Sequence, residues 1–274
     1  MSGIEPSTTG GDADVLLTVE EGIARITLNR PDSLNAITQS MREGVRDCFL
    51  ATQAREDVKV VVLTGAGDAF CGGGELSVLK SKLAQPLEVA TPAFQTKPTQ
   101  NEAIEAIAAC GKPIIAAING PVAGGGLGMA LACDIRIASA SAKFSLAFAR
   151  IGLCPEWGMS YYLPRLVGVQ KAKELFWLAP KLSADEALQL GMVSELVAQE
   201  ALSDRVTKLA SSIASRPPLA ISLSKTVLNQ SLDCELETML NLESWARNTC
   251  TSSEDFREAV SALAEKRKPE FKGR

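Results

Sequence analysis

Lys112-Pro113-Ile114-Ile115-Ala116-Ala117-Ile118-Asn119-Gly120-Pro121-Val122-Ala123-Gly124-Gly125-Gly126-Leu127-Gly128-Met129-Ala130-Leu131-Ala132-Cys133 is the stretch that decides the architecture. From Pro113 to Cys133 it runs 21 residues without a charge. A run of that length invites a membrane span. Gly120-Pro121 breaks it near the middle, however, and three glycines follow. A buried strand over Pro113–Ile118, a turn, and a buried helix opened by Gly124–Gly126 explain it better. Asp134 then ends that helix, and Ile135–Ala138 begins the next strand.

The same grammar extends outward. Val58–Leu63 is a continuous β-branched run, the mark of a strand covered on both faces. A glycine-rich loop, Gly65 to Gly74, follows it. Val15–Val19 and Ile23–Leu28 are β-rich and separated by Glu20-Glu21-Gly22, which suggests a hairpin. Thr38 caps a helix reaching about Ala54. Residues 81–100 carry Pro86, Pro92 and Pro98 and read as a loop or irregular helix over a site. Glu102–Cys110 reads as a short helix, and another starts near Tyr161. After Gly191-Met192-Val193 the character changes, and residues 199–268 read as helices interrupted by Arg216-Pro217-Pro218. Strand–helix alternation followed by helices alone implies an α/β core with a helical C-terminal part. The expected division is a disordered tail over 1–13, a core over 14–198 and a helical region over 199–274.

Composition narrows the chemistry. A net charge of −4 leaves no basic footprint for nucleic acid. Seven cysteines without a C-x-x-C fit reduced thiols better than a disulfide framework. The first residues lack the basic and apolar regions of a signal peptide, and the last four, Phe271-Lys272-Gly273-Arg274, are not the S-K-L peroxisomal address. The expected location is therefore the cytoplasm. Histidine is absent. No Ser-His or Cys-His nucleophile pair and no histidine zinc site can form, so acid–base work falls to carboxylates, lysine, tyrosine, cysteine or the substrate.

Two glycine segments and three acids are the candidates. Cys71-Gly72-Gly73-Gly74-Glu75-Leu76 follows one buried strand, and Gly124-Gly125-Gly126 follows another. Glycine lets backbone approach a ligand closely, and a helix N-terminus offers unpaired N–H groups. Two such loops can aim two amides at one developing oxyanion. Tight turns and close packing are the plainer reading of each. Glu156, in Cys154-Pro155-Glu156-Trp157-Gly158, stands among apolar neighbours before a helix. Burial raises a carboxylate's pKa and makes it a better base when ionised. The plainer reading is a loop glutamate capping that helix. Glu75 and Asp134 read more easily as helix-end residues.

Several ordered motifs now give a family resemblance. Asn29-Arg30-Pro31-Asp32-Ser33-Leu34-Asn35-Ala36, Gly65 to Leu76, Lys112 to Gly120 with Gly124–Gly126, and Leu163-Pro164-Arg165-Leu166-Val167-Gly168 resemble the crotonase, or enoyl-CoA hydratase/isomerase, superfamily over about residues 15–272. The resemblance implies a spiral of ββα units with a helical C-terminal trimerisation region. It also implies an acyl-CoA substrate bound by a homotrimer or a hexamer of paired trimers. Coenzyme A comes as part of the substrate, so no separate cofactor or metal is expected, and neither nucleic acid nor membrane is a partner. By motif position, the amides of Gly74 and Gly125 hold the thioester oxygen. Ser33, Leu34 and Ala36 line the CoA by backbone contacts, and Gly72, Gly73, Leu76 and Phe148 face the substrate.

Within the superfamily, hydratases use two glutamates. Their positions fall here on Gly128 and Phe148, so both carboxylates are missing. Glu156 instead stands where Δ3,Δ2-enoyl-CoA isomerases of the peroxisomal type carry a single catalytic glutamate. The resemblance thus implies 1,3-proton transfer through a dienolate. Alternatives are another crotonase isomerase, such as an epoxyphenylacetyl-CoA isomerase with its acid near 156, an enoyl-CoA hydratase, or a catalytically weak acyl-CoA binder.

Overall fold

The computed structural model describes residues 13–83 and 101–274, apart from the side chains of Leu76, Leu79 and Lys82. The tail expected over 1–13 lies outside the described residues but for its last position, as does the 81–100 stretch beyond residue 83.

Val15–Glu20 (β1) and Ile23–Leu28 (β2) pair antiparallel, with Glu20 opposite Ile23. The two residues between them, Glu21 and Gly22, have φ of 49° and 78°, the left-handed pair that matches strand twist in a tight hairpin. The helix Gln39–Ala54 (α1) follows, and Thr38 caps it by accepting the Met41 N–H at 3.1 Å. Met41, Val45, Cys48, Phe49 and Thr52 form its buried face, three and four residues apart. Lys112 donates to the carbonyls of Thr52 and Arg55, placing a cation at the negative end of α1.

Val60–Gly65 (β3) pairs parallel to β2. The apolar run suggested a strand from Val58, but the chain there is still turning. The Val58 N–H bonds back to Arg55, and pairing starts where Val60 meets Ile23. Leu76–Lys82 (α2) and Glu102–Ala109 (α3) come next, then Ile114–Ile118 (β4) and Val122–Ala123 (β5). Gly124–Ala132 (α4) begins at the first of the three glycines. Ile135–Ser139 (β6), Lys143–Ser145 (β7), Met159–Val167 (α5), Val169–Leu178 (α6), Lys181–Ser183 (β8), Ala184–Gln189 (α7) and Glu195–Val197 (β9) follow. From residue 199 onward the described elements are helical: Leu202–Ala214 (α8), Pro218–Gln230 (α9), Leu236–Thr251 (α10) and Glu254–Glu265 (α11), after a 3-10 turn at Gln199–Ala201.

The main sheet has the order β1-β2-β3-β4-β6-β9, parallel except for β1. A small sheet, β5-β7-β8, stands beside it. Alternation along β3 explains its unbroken hydrophobicity. Val61 and Leu63 join the core beneath α1, α3 and α4, while Val60 and Val62 pack against Leu202, Val206 and Ala210 of α8. Both faces are covered, so both sets of side chains are apolar. Arg136, half-buried beyond α4, donates to the carbonyls of Cys133 at 2.6 Å and Met192 at 2.7 Å, which fixes the exit of that helix. No helix among the described residues is long and apolar enough to cross a membrane.

Candidate active site

The parallel order of β3 and β4 sends the chain out of both strands at the same edge, and the two glycine segments meet there. Cys71 bridges Val122, and the Ala123 N–H donates to the Cys71 carbonyl at 2.9 Å. Gly73 has φ of 94°, and a Cβ there would sit 3.1 Å from the Ala123 carbonyl oxygen. Only glycine meets both demands without strain.

Gly74 is held from one side only. The Ile37 N–H donates to the Gly73 carbonyl at 2.7 Å, and the Glu75 N–H donates to the Ile37 carbonyl at 3.3 Å. This parallel bridge turns the amide of Gly74 away from Ile37, and the amide has no backbone acceptor among the described residues. Nothing lies within 4 Å of the point where a Cβ on Gly74 would be. Gly125 is the second residue of α4, in the turn whose N–H groups have no intrahelical partner. The cap residue, Ala123, has no side-chain acceptor to offer it. Two main-chain donors are therefore left open where the loops touch.

A third loop is locked to the first. Leu34 and Asn35 both adopt left-handed φ, 52° and 54°. The Asn35 side chain is fully buried and accepts the Arg30 N–H at 2.8 Å while donating to the carbonyls of Ala66 at 2.9 Å and Ala69 at 2.8 Å. The Leu34 carbonyl accepts the Gly72 N–H at 2.7 Å. Arg30 donates to the Ala36 carbonyl at 2.9 Å and pairs with Glu75 at 2.7 Å. Ser33, Leu34 and Ala36 are thereby brought beside Gly72–Gly74, with Leu34 53% exposed on the rim. Leu76 opens α2 immediately after.

On the other side, Phe148 is buried, and its ring tip lies 3.9 Å from the Cβ position of Gly124. The chain then turns through Ala149–Ile151 and reaches Glu156. Glu156 is half-buried, and among the described residues its carboxylate makes no hydrogen bond or ion pair. It does not cap α5 with its side chain. That helix starts after Gly158, and only the Glu156 backbone carbonyl accepts the Met159 N–H, at 3.2 Å. The next residue, Trp157, places its indole 2.7 Å from the Cβ position of Gly125. Glu156 is thus one residue from a side chain that lies on the helix carrying the second open amide.

The other two acids are engaged. Glu75 is held below the usual carboxylate range by the Ser77 hydroxyl and the Arg30 guanidinium, which makes it a weaker base. Asp134 accepts the Ile114 N–H at 2.7 Å and pairs with Lys225 of α9 at 2.8 Å. Cys71, beside the glycines, is pushed up to about 12 by burial and is no thiolate nucleophile. Among the described residues no cluster of acids and cysteines could hold a metal. A cleft of about 740 Å³ between α4, α5 and α9 is lined by Tyr161, Tyr162, Arg165 and Lys225, and Gly74, Gly125, Phe148 and Glu156 do not border it.

Asn35, Arg30, Trp157 and Arg42 escaped assignment from sequence. Asn35 and Arg30 lie inside a quoted motif, but nothing in their spacing tells a loop brace from a ligand contact. Trp157 and its stacking partner Arg42 are joined only by the fold.

Residues 18–274 match the Enoyl-CoA hydratase/isomerase family. The chain belongs to that family, its α/β fold is crotonase-like, and it is an enzyme of the class that acts on enoyl-CoA. It is 36% identical to the 1,2-epoxyphenylacetyl-CoA isomerase of Escherichia coli, over 95% of this chain and 98% of that one. It is also 36% identical to the short-chain-enoyl-CoA hydratase of Clostridium acetobutylicum, with the same coverage of 95% and 98%. The crystal structure of an enoyl-CoA hydratase/isomerase from Cupriavidus metallidurans superposes with a TM-score of 0.86 at 34% identity, covering 95% of this chain and 96% of that one.

Proposed function

We propose that this protein is a Δ3,Δ2-enoyl-CoA isomerase with Glu156 as its one acid–base group. Glu156 removes a proton from C2 of a 3-enoyl thioester. The electrons move onto the thioester oxygen, giving a dienolate, and the amides of Gly74 and Gly125 hold that oxygen. Glu156 then returns the proton to C4, and the double bond ends at C2. No water or redox partner is consumed. The α-proton is far less acidic than a carboxylic acid, so stabilising the enolate carries most of the rate. One oxyanion donor is worth about 3–4 kcal/mol, and a positioned base adds about 10²–10⁴-fold.

The carrying observation is the distribution of carboxylates. Among the described residues Glu156 has no partner, and the next residue, Trp157, packs on Gly125, while Glu75 and Asp134 are tied up. Positions 128 and 148, where the resemblance puts the hydratase pair, hold glycine and a buried phenylalanine. A drier pocket with one base favours proton transfer over hydration. Ser33, Leu34 and Ala36 contact the CoA, Gly72, Gly73, Leu76 and Phe148 shape the acyl path, and the working form is a trimer or a pair of trimers in the cytoplasm.

The test is incubation with 3-hexenoyl-CoA, following absorbance of the conjugated product. Hydration of 2-hexenoyl-CoA at a rival rate contradicts the reading. A second reading, isomerisation of 1,2-epoxyphenylacetyl-CoA, is favoured by the identity to the Escherichia coli enzyme, and preferential consumption of that thioester would establish it instead. Binding without turnover of either thioester would leave an acyl-CoA binder.

A further inference from the structure

Trp157 is unlike its surroundings. Ile151 to Cys154 are exposed and Pro155 and Glu156 are half-buried, but Trp157 is only 5% exposed. Its φ is 58°, a left-handed conformation that a bulky side chain adopts only when its neighbours enforce it. Those neighbours are identifiable. The indole reaches to 2.7 Å from the Cβ position of Gly125, where the tip of Ile37 also comes to 2.8 Å. Its own Cβ and carbonyl oxygen lie 2.5 and 2.6 Å from the Cβ position of Gly128, one turn further along α4. The Arg42 guanidinium stacks over the ring, 5.3 Å from its centroid. Among the described residues the buried Arg42 Nε has no hydrogen-bond partner, and the guanidinium meets the ring instead.

We propose that Trp157 is a positioning residue, a wedge driven between Arg42 of α1 and the glycine face of α4. It fixes Glu156 through the chain and the Gly125 amide by direct packing. The Cβ and carbonyl oxygen of Trp157 also fill the space next to Gly128, so no side chain at 128 can enter while the chain at 157 keeps this path. The single-carboxylate character of the site is thereby built into its packing as well as its composition. The kinetic part of this inference rests on the isomerase reading above. The packing part does not.

Two measurements test it. With 3-hexenoyl-CoA, Trp157→Gly is expected to lower kcat by about 100-fold while KM stays within about threefold, because loss of alignment on the ångström scale costs that much. Trp157→Phe recovers most of the loss, and Arg42→Leu lowers kcat by about tenfold. An unchanged kcat in Trp157→Gly overturns the proposal, and so does a raised KM at constant kcat, which would make Trp157 an acyl contact. Should Trp157→Gly fail to fold, the phenylalanine and Arg42 variants carry the same comparison. The second measurement needs no substrate. Gly128→Ala is expected to lower Tm by several degrees in the native background and equally beside Trp157→Phe, which keeps the Cβ and carbonyl oxygen that Gly128 meets, but by less than half as much beside Trp157→Gly, which removes the Cβ and lets the backbone shift, since neighbours in contact are not additive. Equal lowering in the native and Trp157→Gly backgrounds overturns the packing part, whatever the reaction proves to be.

Discussion

Arg30 holds Glu75 at 2.7 Å and the Ala36 carbonyl at 2.9 Å with the same guanidinium nitrogen. One side chain therefore spans the loop that leads into α1 and the loop that ends at Gly74. Gly74 has no side chain of its own to anchor it, so its amide takes its direction from such neighbours.

Substitutions at the two ends of this tie should differ. Arg30→Met loses both contacts and is expected to lower kcat/KM for 3-hexenoyl-CoA by about tenfold or more. Glu75→Gln keeps the Arg30 contact to Ala36 and should cost about threefold or less. Steady-state kinetics on the two variants checks the order. If Glu75→Gln were the more damaging, Glu75 would have a direct part in the reaction.

Asn35 braces the same region from inside. Among the described residues, Asn35→Ala leaves the Arg30 N–H and the Ala66 carbonyl without their buried partner, and the Ala69 carbonyl keeps only Asn119 at 3.2 Å. Orphaning buried polar groups costs roughly 1–3 kcal/mol each, so a loss of about 3 kcal/mol is expected in urea unfolding. Asn35→Asp should also destabilise, because a carboxylate cannot donate to either carbonyl.

The C-terminal segment gives a prediction in pH. Arg267 and the Glu270 N–H hold Glu258 down to about 2 from an ordinary 4.5. Arg267 grips both carboxylate oxygens, at 2.5 and 2.8 Å. A carboxylate with a depressed folded-state pKa contributes stability that is complete above its unfolded value. That contribution fades as pH falls from about 4.5 toward 2. Glu258→Gln should therefore be less stable than the native protein at neutral pH, and the gap should close across that acid range. Urea midpoints at a series of pH values check it, and a gap that stays constant would remove Glu258 as the source.

The sequence made some of this architecture plain and hid the rest for physical reasons. Val60–Leu63 and Ile114–Ile118 are apolar on both faces because helices cover both faces, so they read as buried strands at sight. Thr38 announces α1 because a hydroxyl before a helix satisfies an open N–H. The strands β5, β7, β8 and β9 are two or three residues long, too short to display a period in sequence. The glycines flagged both loops, but their meeting depends on the parallel order of β3 and β4, which no local pattern records. Glu156 stood out through its motif. The Trp157 contact with Arg42, Gly125 and Gly128 joins three distant segments, and a lone tryptophan carries no sign of which face it will cover.

The most direct test of the central claim is the turnover of Glu156→Gln on 3-hexenoyl-CoA, measured beside its affinity for a saturated acyl-CoA. The change keeps the shape of the side chain and removes the base. Turnover should fall by about 10²–10⁴-fold while affinity stays within a few-fold of the native value. Native-like turnover in that variant would show that another group moves the proton.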